Sequence, residues 1–246
     1  MATITTGSVV LMDGYNFSSY FQSVEFKGDV DIKDSSNLGT TGAREYQPGL
    51  AERMVSGEGF FASGAVTTSL DAKFETAFSS TANKLITIGQ EGASTQGLAA
   101  IMMNTKQAKF DISTKVGELI MAKLDAKATL DGSIAAFALG KWIYQATLTG
   151  TANGATYDNA ASATGYLATA HITDCDDGYT VKLQHSTNGS TWADLVDFGK
   201  LSNAAGQAFN TSTTVNRYLR GIISASHSAL TGKVWLAVKT GYTGLG

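Results

Sequence analysis

A chain of 246 residues that is 43% hydrophobic can fill a sizeable core, while its charged fraction of 16% falls below the roughly 25% of an average soluble protein. The formal net charge of -3 offers no basic surface for tight nucleic-acid binding, and the single cysteine, Cys175, excludes an intrachain disulfide. The one proline, Pro48, leaves nearly every backbone N–H free to join a sheet ladder.

In chain order, the N-terminus lacks a basic segment followed by a long apolar run, and no stretch approaches the ~18 consecutive apolar residues of a spanning helix. Neither secretion nor membrane association is expected. Residues 24–33 alternate with period two, placing Val24, Phe26, Val30 and Ile32 on one face and Glu25, Lys27, Asp29, Asp31 and Lys33 on the other. Residues 35–50 are rich in turn formers and read as a long exposed loop, after which an extended segment resumes.

A helix is predicted at about 69–82, where Leu70, Phe74, Ala77 and Phe78 form one apolar stripe. Short strands follow at 85–89, at 98–103 and at 108–112. The longest alternation runs from Glu118 to Asp131, with Ile120, Ala122, Leu124, Ala126, Ala128 and Leu130 opposite Met121, Lys123, Asp125, Lys127, Thr129 and Asp131. The composition changes near residues 148–160, which divides the chain into domains 1–148 and 149–246. Strands in the second part are expected at 166–172, 179–185, 192–198, 215–223 and 234–239, with Asn188-Gly189 as a tight hairpin turn. Their spacing suggests a sandwich.

No constellation for catalysis emerges, so no enzyme activity, cofactor or metal is expected. His171, His185 and His227 stand at no metal-ligand spacing with one another or with Cys175. Asp174-Cys175-Asp176-Asp177-Gly178 lacks the ligand spacing of an EF-hand and reads as a solvated turn. Gly57-Glu58-Gly59 does not continue into a dinucleotide fingerprint. Trp192 and Trp235 read as packing residues, with a carbohydrate platform as the competing use.

Two stretches carry a family resemblance. The segment containing VKLQHSTNGSTWADL and NRYLRGI resembles a module of tail structural proteins from long-tailed, non-contractile bacteriophages. The run VEFKGDVDIKDSSNLGTTGAREYQPGLAERMVSGEGFF, with DGSIAAFAL further on, looks like the tail tube protein of such phages. The resemblance implies a mainly β fold: a tail-tube-type sandwich or barrel with one flanking helix, plus a C-terminal, Ig-like sandwich that decorates the outside.

It also implies a non-enzymatic virion subunit, assembled in the host cytoplasm into stacked rings that conduct DNA without binding it specifically. Its partners would be copies of itself and the tape measure, terminator and baseplate proteins. Glu25, Lys27, Asp29, Asp31, Lys33, Lys123, Asp125 and Lys127 would face the lumen, while Asn37, Leu38, Arg44, Glu45, Tyr46, Gln47 and Pro48 would form a loop against the adjacent ring. The alternative function is a carbohydrate-binding, host-adhesion tail protein.

Overall fold

The computed structural model describes residues 7–35, 44, 46–60, 83–92, 95–115, 118, 120–129, 137–173, 178–201, 205–226 and 232–242. The helix expected at 69–82 lies outside them. Every regular element among the described residues is a strand: β1 (Val9–Met12), β2 (Tyr15–Asn16), β3 (Phe21–Asp34), β4 (Tyr46–Phe60), β5 (Lys84–Gly89), β6 (Ala99–Ser113), β7 (Met121–Ala128) and β8 (Phe137–Leu148), followed by β9 (Ala152–Asn153), β10 (Tyr157–Asp158), β11 (Ala163–Thr173), β12 (Tyr179–Ser186), β13 (Ala193–Leu201), β14 (Gly206–Val215), β15 (Tyr218–Ser226) and β16 (Gly232–Thr240). The fold is mainly β, built from antiparallel pairs.

The chain forms two compact units that are not consecutive in sequence. One comprises residues 1–19, 82–105 and 129–246, and the other residues 20–81 and 106–128. A cut at residue 148 does not separate them, because β8 pairs with β16 along Gly232↔Leu148 to Val238↔Lys141 inside the first unit. Of the strands before residue 148, β8 takes one neighbour from nearby in sequence, β6, and the other, β16, from the far end of the chain.

In the first unit, one sheet runs in the order β14-β11-β16-β8-β6-β5-β1-β2 and a second in the order β10-β15-β12-β13, with β9 on β15. The core between them collects Tyr166, Ala168, Ala170 and Ile172 from β11, Val234, Leu236 and Val238 from β16, Val181 and Leu183 from β12, and Val196 and Phe198 from β13. On the opposite face of the first sheet, Leu167 of β11 and Trp235 and Ala237 of β16 join Leu11, Met102 and Trp142 in a second cluster. Strands buried on both faces favour apolar side chains at successive positions, which explains the apolar run 234–238 and the character of 166–172, where the polar Thr169 and His171 are themselves buried.

Most expected strands in this half coincide with β11, β12, β13 and β16, with ends that differ by up to three residues. One expectation fails: the segment 215–223 divides at Asn216-Arg217 between β14 and β15. Asn188-Gly189 lies in the connection of the antiparallel β12–β13 hairpin, between Ser186 and Ala193, with Gly189 at φ 71°. The run of Gly, Thr, Ser and Asn in β14 carries no strand signature, although it pairs with β11 from Ala163↔Val215 to His171↔Gly206.

The second unit is a sheet in the order β3-β4-β7-β6, to which β6 contributes its residues after Thr105. β3 and β4 form a long hairpin, paired from Phe21↔Gly59 to Asp34↔Tyr46. β4 pairs in turn with β7, from Met54↔Lys127 to Phe60↔Met121. Two expectations need correction here. The long strand expected over 118–131 is the eight-residue β7; its ladder ends where the Thr129 N–H turns to the Asn104 carbonyl at 2.8 Å. The loop expected over 35–50 is shorter, because Tyr46, Gln47 and Pro48 lie in β4 opposite Asp34, Lys33 and Ile32. The turn-forming composition around Pro48 hid that return strand, and a register shift between Val30 and Ile32 accommodates it.

Candidate functional surface

The register of the second unit decides which side chains share a face. Glu25 lies opposite Ser56, which lies opposite Asp125; Lys27 aligns with Met54 and Lys127; and Ser23 aligns with Glu58 and Lys123. Because side chains alternate across a strand, these rows stand on one face, with Asp29 opposite Glu52 continuing it. The other face carries Val24, Phe26, Val55, Gly57, Gly59, Ala122, Leu124 and Ala126. Val55, Ala122, Leu124 and Ala126 are buried there.

Six of the eight residues expected to face a lumen, Glu25, Lys27, Asp29, Lys123, Asp125 and Lys127, thus share one sheet surface although two separate segments supply them. Asp31 and Lys33 continue the same alternation along β3 and are both exposed, with Lys33 Nζ 2.7 Å from Asp31 Oδ2. Lys27 pairs with Glu25 at 3.0 Å and Lys127 with Glu52 at 2.6 Å. On β6, Lys109 is in contact with Asp111, and these carboxylates, Asp111 first and Asp125 more weakly, raise the Lys109 pKa. Exposed pairs of this kind contribute little to stability. Their effect is a face of interspersed charge in which carboxylates outnumber lysines.

Sequence reasoning missed Glu52, Glu58, Lys109 and Asp111. The first two lie in a strand whose alternation is disguised by Gly57 and Gly59 at apolar positions. Both glycines answer close approaches: a Cβ on Gly57 would meet the Phe21 ring at 2.6 Å, and one on Gly59 would sit 2.0 Å from the Tyr20 carbonyl oxygen. The alternation at 108–112 was the available signal for Lys109 and Asp111.

The apolar face is unevenly covered. Toward the tip of the hairpin, Val30 is 48% exposed, Ile32 64% and Tyr46 57%. Among the described strands, β3 pairs with β4 alone, and β6 beyond Thr105 pairs with β7 alone. Among the described strands, β3 and β6 are therefore the outer members of this sheet. Of the residues expected in the inter-ring loop, Arg44 is exposed, whereas Asn37, Leu38 and Glu45 lie outside the described residues.

Two of the three histidines, His171 and His185, lie among the described residues and make hydrogen bonds within the fold. His171 is fully buried on β11; the Gly14 N–H donates to its Nδ1 at 3.2 Å, so the proton resides on Nε2, which faces Thr87 Oγ1 at 2.8 Å. Gly14 is placed by a two-residue turn between β1 and β2, with Asp13 at φ 46° and Gly14 at φ 83°, a conformation suited to Asp-Gly. Burial lowers the His171 pKa from 6.5 to about 3. His185 is half-buried and accepts the Asn216 N–H at 3.2 Å. His227 and residues 174–177 lie outside the described residues.

Trp235 is in the core and offers no platform. Trp192 carries the Arg220 guanidinium over its ring at 4.3 Å, and Arg220 in turn donates to Gln184 Oε1 from Nε and Nη2. No group of His, Cys, Asp and Glu among the described residues is arranged to hold a metal ion.

No protein-family model and no curated protein matches this chain. Similar solved structures include a chain from the virion of the native gene transfer agent particle, 11% identical, with a TM-score of 0.44 over 56% of this chain and 98% of that one. Another is the SPP1 Dit protein, described as a paradigm of the hub adsorption apparatus in phages infecting Gram-positive hosts, 10% identical, with a TM-score of 0.36 over 95% of this chain and all of that one. A chain of the phage P2 baseplate in its activated, calcium-bound conformation is 9% identical, with a TM-score of 0.33 over 97% of this chain and 100% of its own.

Proposed function

We propose that this chain is a non-enzymatic structural subunit of a bacteriophage tail tube, which polymerises as stacked rings around a channel that conducts DNA. The observation that carries the reading is the sheet β3-β4-β7-β6, with a mixed but net acidic charged face and with β3 and β6 as its outer members among the described strands. The family resemblance of residues 24–61 points the same way.

Outer strands invite pairing with another chain, and a ring in which β3 of one copy lies along β6 of the next satisfies both with a single repeated contact. Such closure turns one sheet face inward. An inward face bearing Glu25, Asp29, Glu58 and Asp125 beside Lys27, Lys123 and Lys127 would hold water and ions and would not grip passing phosphates. The residues between β3 and β4, Arg44 among them, together with the exposed Ile32 and Tyr46, would contact the adjacent ring. The tape measure, terminator and baseplate proteins would be further partners, within a tail assembled in the host cytoplasm.

Negative-stain electron microscopy of the purified protein at high concentration tests the reading, with rings or tubes as the expected result. A protein that sediments as a monomer across the whole concentration range would overturn it.

A further inference from the structure

We infer that Asn188 is a latent self-modification site, an asparagine poised by sequence to cyclise onto Gly189 and held from doing so by a clasp centred on Ser186. The chemistry needs no catalyst or co-reactant. The Gly189 nitrogen attacks Asn188 Cγ, the bond from Cγ to the side-chain nitrogen breaks, and ammonia departs as the glycine nitrogen loses its proton. The resulting succinimide then opens with water to aspartate or isoaspartate. A glycine after asparagine leaves the attacking nitrogen unhindered, and Asn188 stands exposed between β12 and β13.

The folded turn opposes each requirement of that step. The Gly189 N–H donates to Ser186 Oγ at 2.9 Å, and the Asn188 N–H donates to the same oxygen at 3.2 Å. Ser186 Oγ donates in turn to Asn188 Oδ1 at 3.0 Å, and that oxygen also accepts the Ser190 and Thr191 N–H groups, both at 2.9 Å. Swinging Cγ onto the glycine nitrogen must pull Oδ1 away from three donors and free the nitrogen from Ser186. Ser186 is 2% exposed, so water does not readily replace it.

The two products differ in consequence. Aspartate keeps the main chain and the accepting oxygen. Isoaspartate inserts a methylene into the backbone close to the His185↔Ala193 pair and disturbs the register of β12 with β13.

The test incubates the full-length protein at mildly alkaline pH and follows residue 188 by peptide mass analysis that separates Asn, Asp and isoAsp. Three samples are compared: the folded wild type, the wild type unfolded in urea, and Ser186→Ala. The unfolded chain should convert more than about tenfold faster than the folded one, and Ser186→Ala about fivefold to tenfold faster than folded wild type, the scale set by the bonds it loses. Equal rates in folded and unfolded wild type would overturn the inference, and this comparison decides alone if Ser186→Ala does not fold. A folded Ser186→Ala that converts no faster than wild type would overturn the role of the clasp.

Discussion

Acidification is predicted to destabilise the first unit through His171. Its Nδ1 faces the Gly14 N–H at 3.2 Å, so a proton added there would set two donors against each other in a site with no water access. Burial holds the pKa near 3, against 6.5 in the absence of the fold. Above pH 6.5 neither folded nor unfolded chain binds this proton, and the site's contribution to stability is complete. As pH falls below 6.5, the unfolded chain takes up a proton that the folded one refuses. Stability is then lost at about 1.4 kcal/mol per pH unit until the folded-state pKa is reached.

At pH 5 the loss is about 2 kcal/mol. Urea unfolding of wild type and His171→Gln, each measured at pH 7 and pH 5, isolates this residue from the carboxylates that titrate in both. Glutamine offers an acceptor and a donor but does not titrate, so the variant should lose about 2 kcal/mol less than wild type over that interval. Parallel pH profiles for the two proteins would refute the assignment of a buried, neutral histidine.

Other outcomes follow from the packing. Gly59→Ala places a methyl group against the Tyr20 carbonyl and should cost about 1–3 kcal/mol in chemical denaturation. Leu183→Ala removes a fully buried side chain from the core between the two sheets of the first unit, with an expected loss of about 2–5 kcal/mol. Ile32→Ser, at a site 64% exposed in the single chain, should leave thermal stability within about 0.5 kcal/mol of wild type yet reduce ring or tube formation in electron micrographs. Unchanged assembly in that variant would remove the hairpin tip from the proposed contact surface.

The legibility of the charged face differed from strand to strand. In β3 and β7 most alternate positions carry an apolar side chain, Val24, Phe26, Val30 and Ile32 in one and Ala122, Leu124 and Ala126 in the other, and that alternation marks two-faced strands. In β4 the apolar positions include Gly57 and Gly59, whose missing side chains make room for Phe21 and for the Tyr20 backbone. The periodicity therefore vanished where packing was tightest, and Glu52 and Glu58 went unnoticed.

Sequence by itself determined the class of fold and the two-faced character of β3 and β7, because alternation is a local property that burial on one side imposes on any strand. It also marked Val30 and Ile32 as apolar, though not that they would stand exposed. Only the tertiary structure decided that β4 lies between β3 and β7, bringing Glu25 into one row with Ser56 and Asp125. It likewise decided that β8 pairs with β16 and that residues 1–19 belong with the C-terminal sheets. Strand pairing is settled by contacts between residues distant in sequence, and hydrogen bonding along a ladder uses the same backbone groups whichever partner supplies them. The choice of neighbour is therefore not written in any one segment.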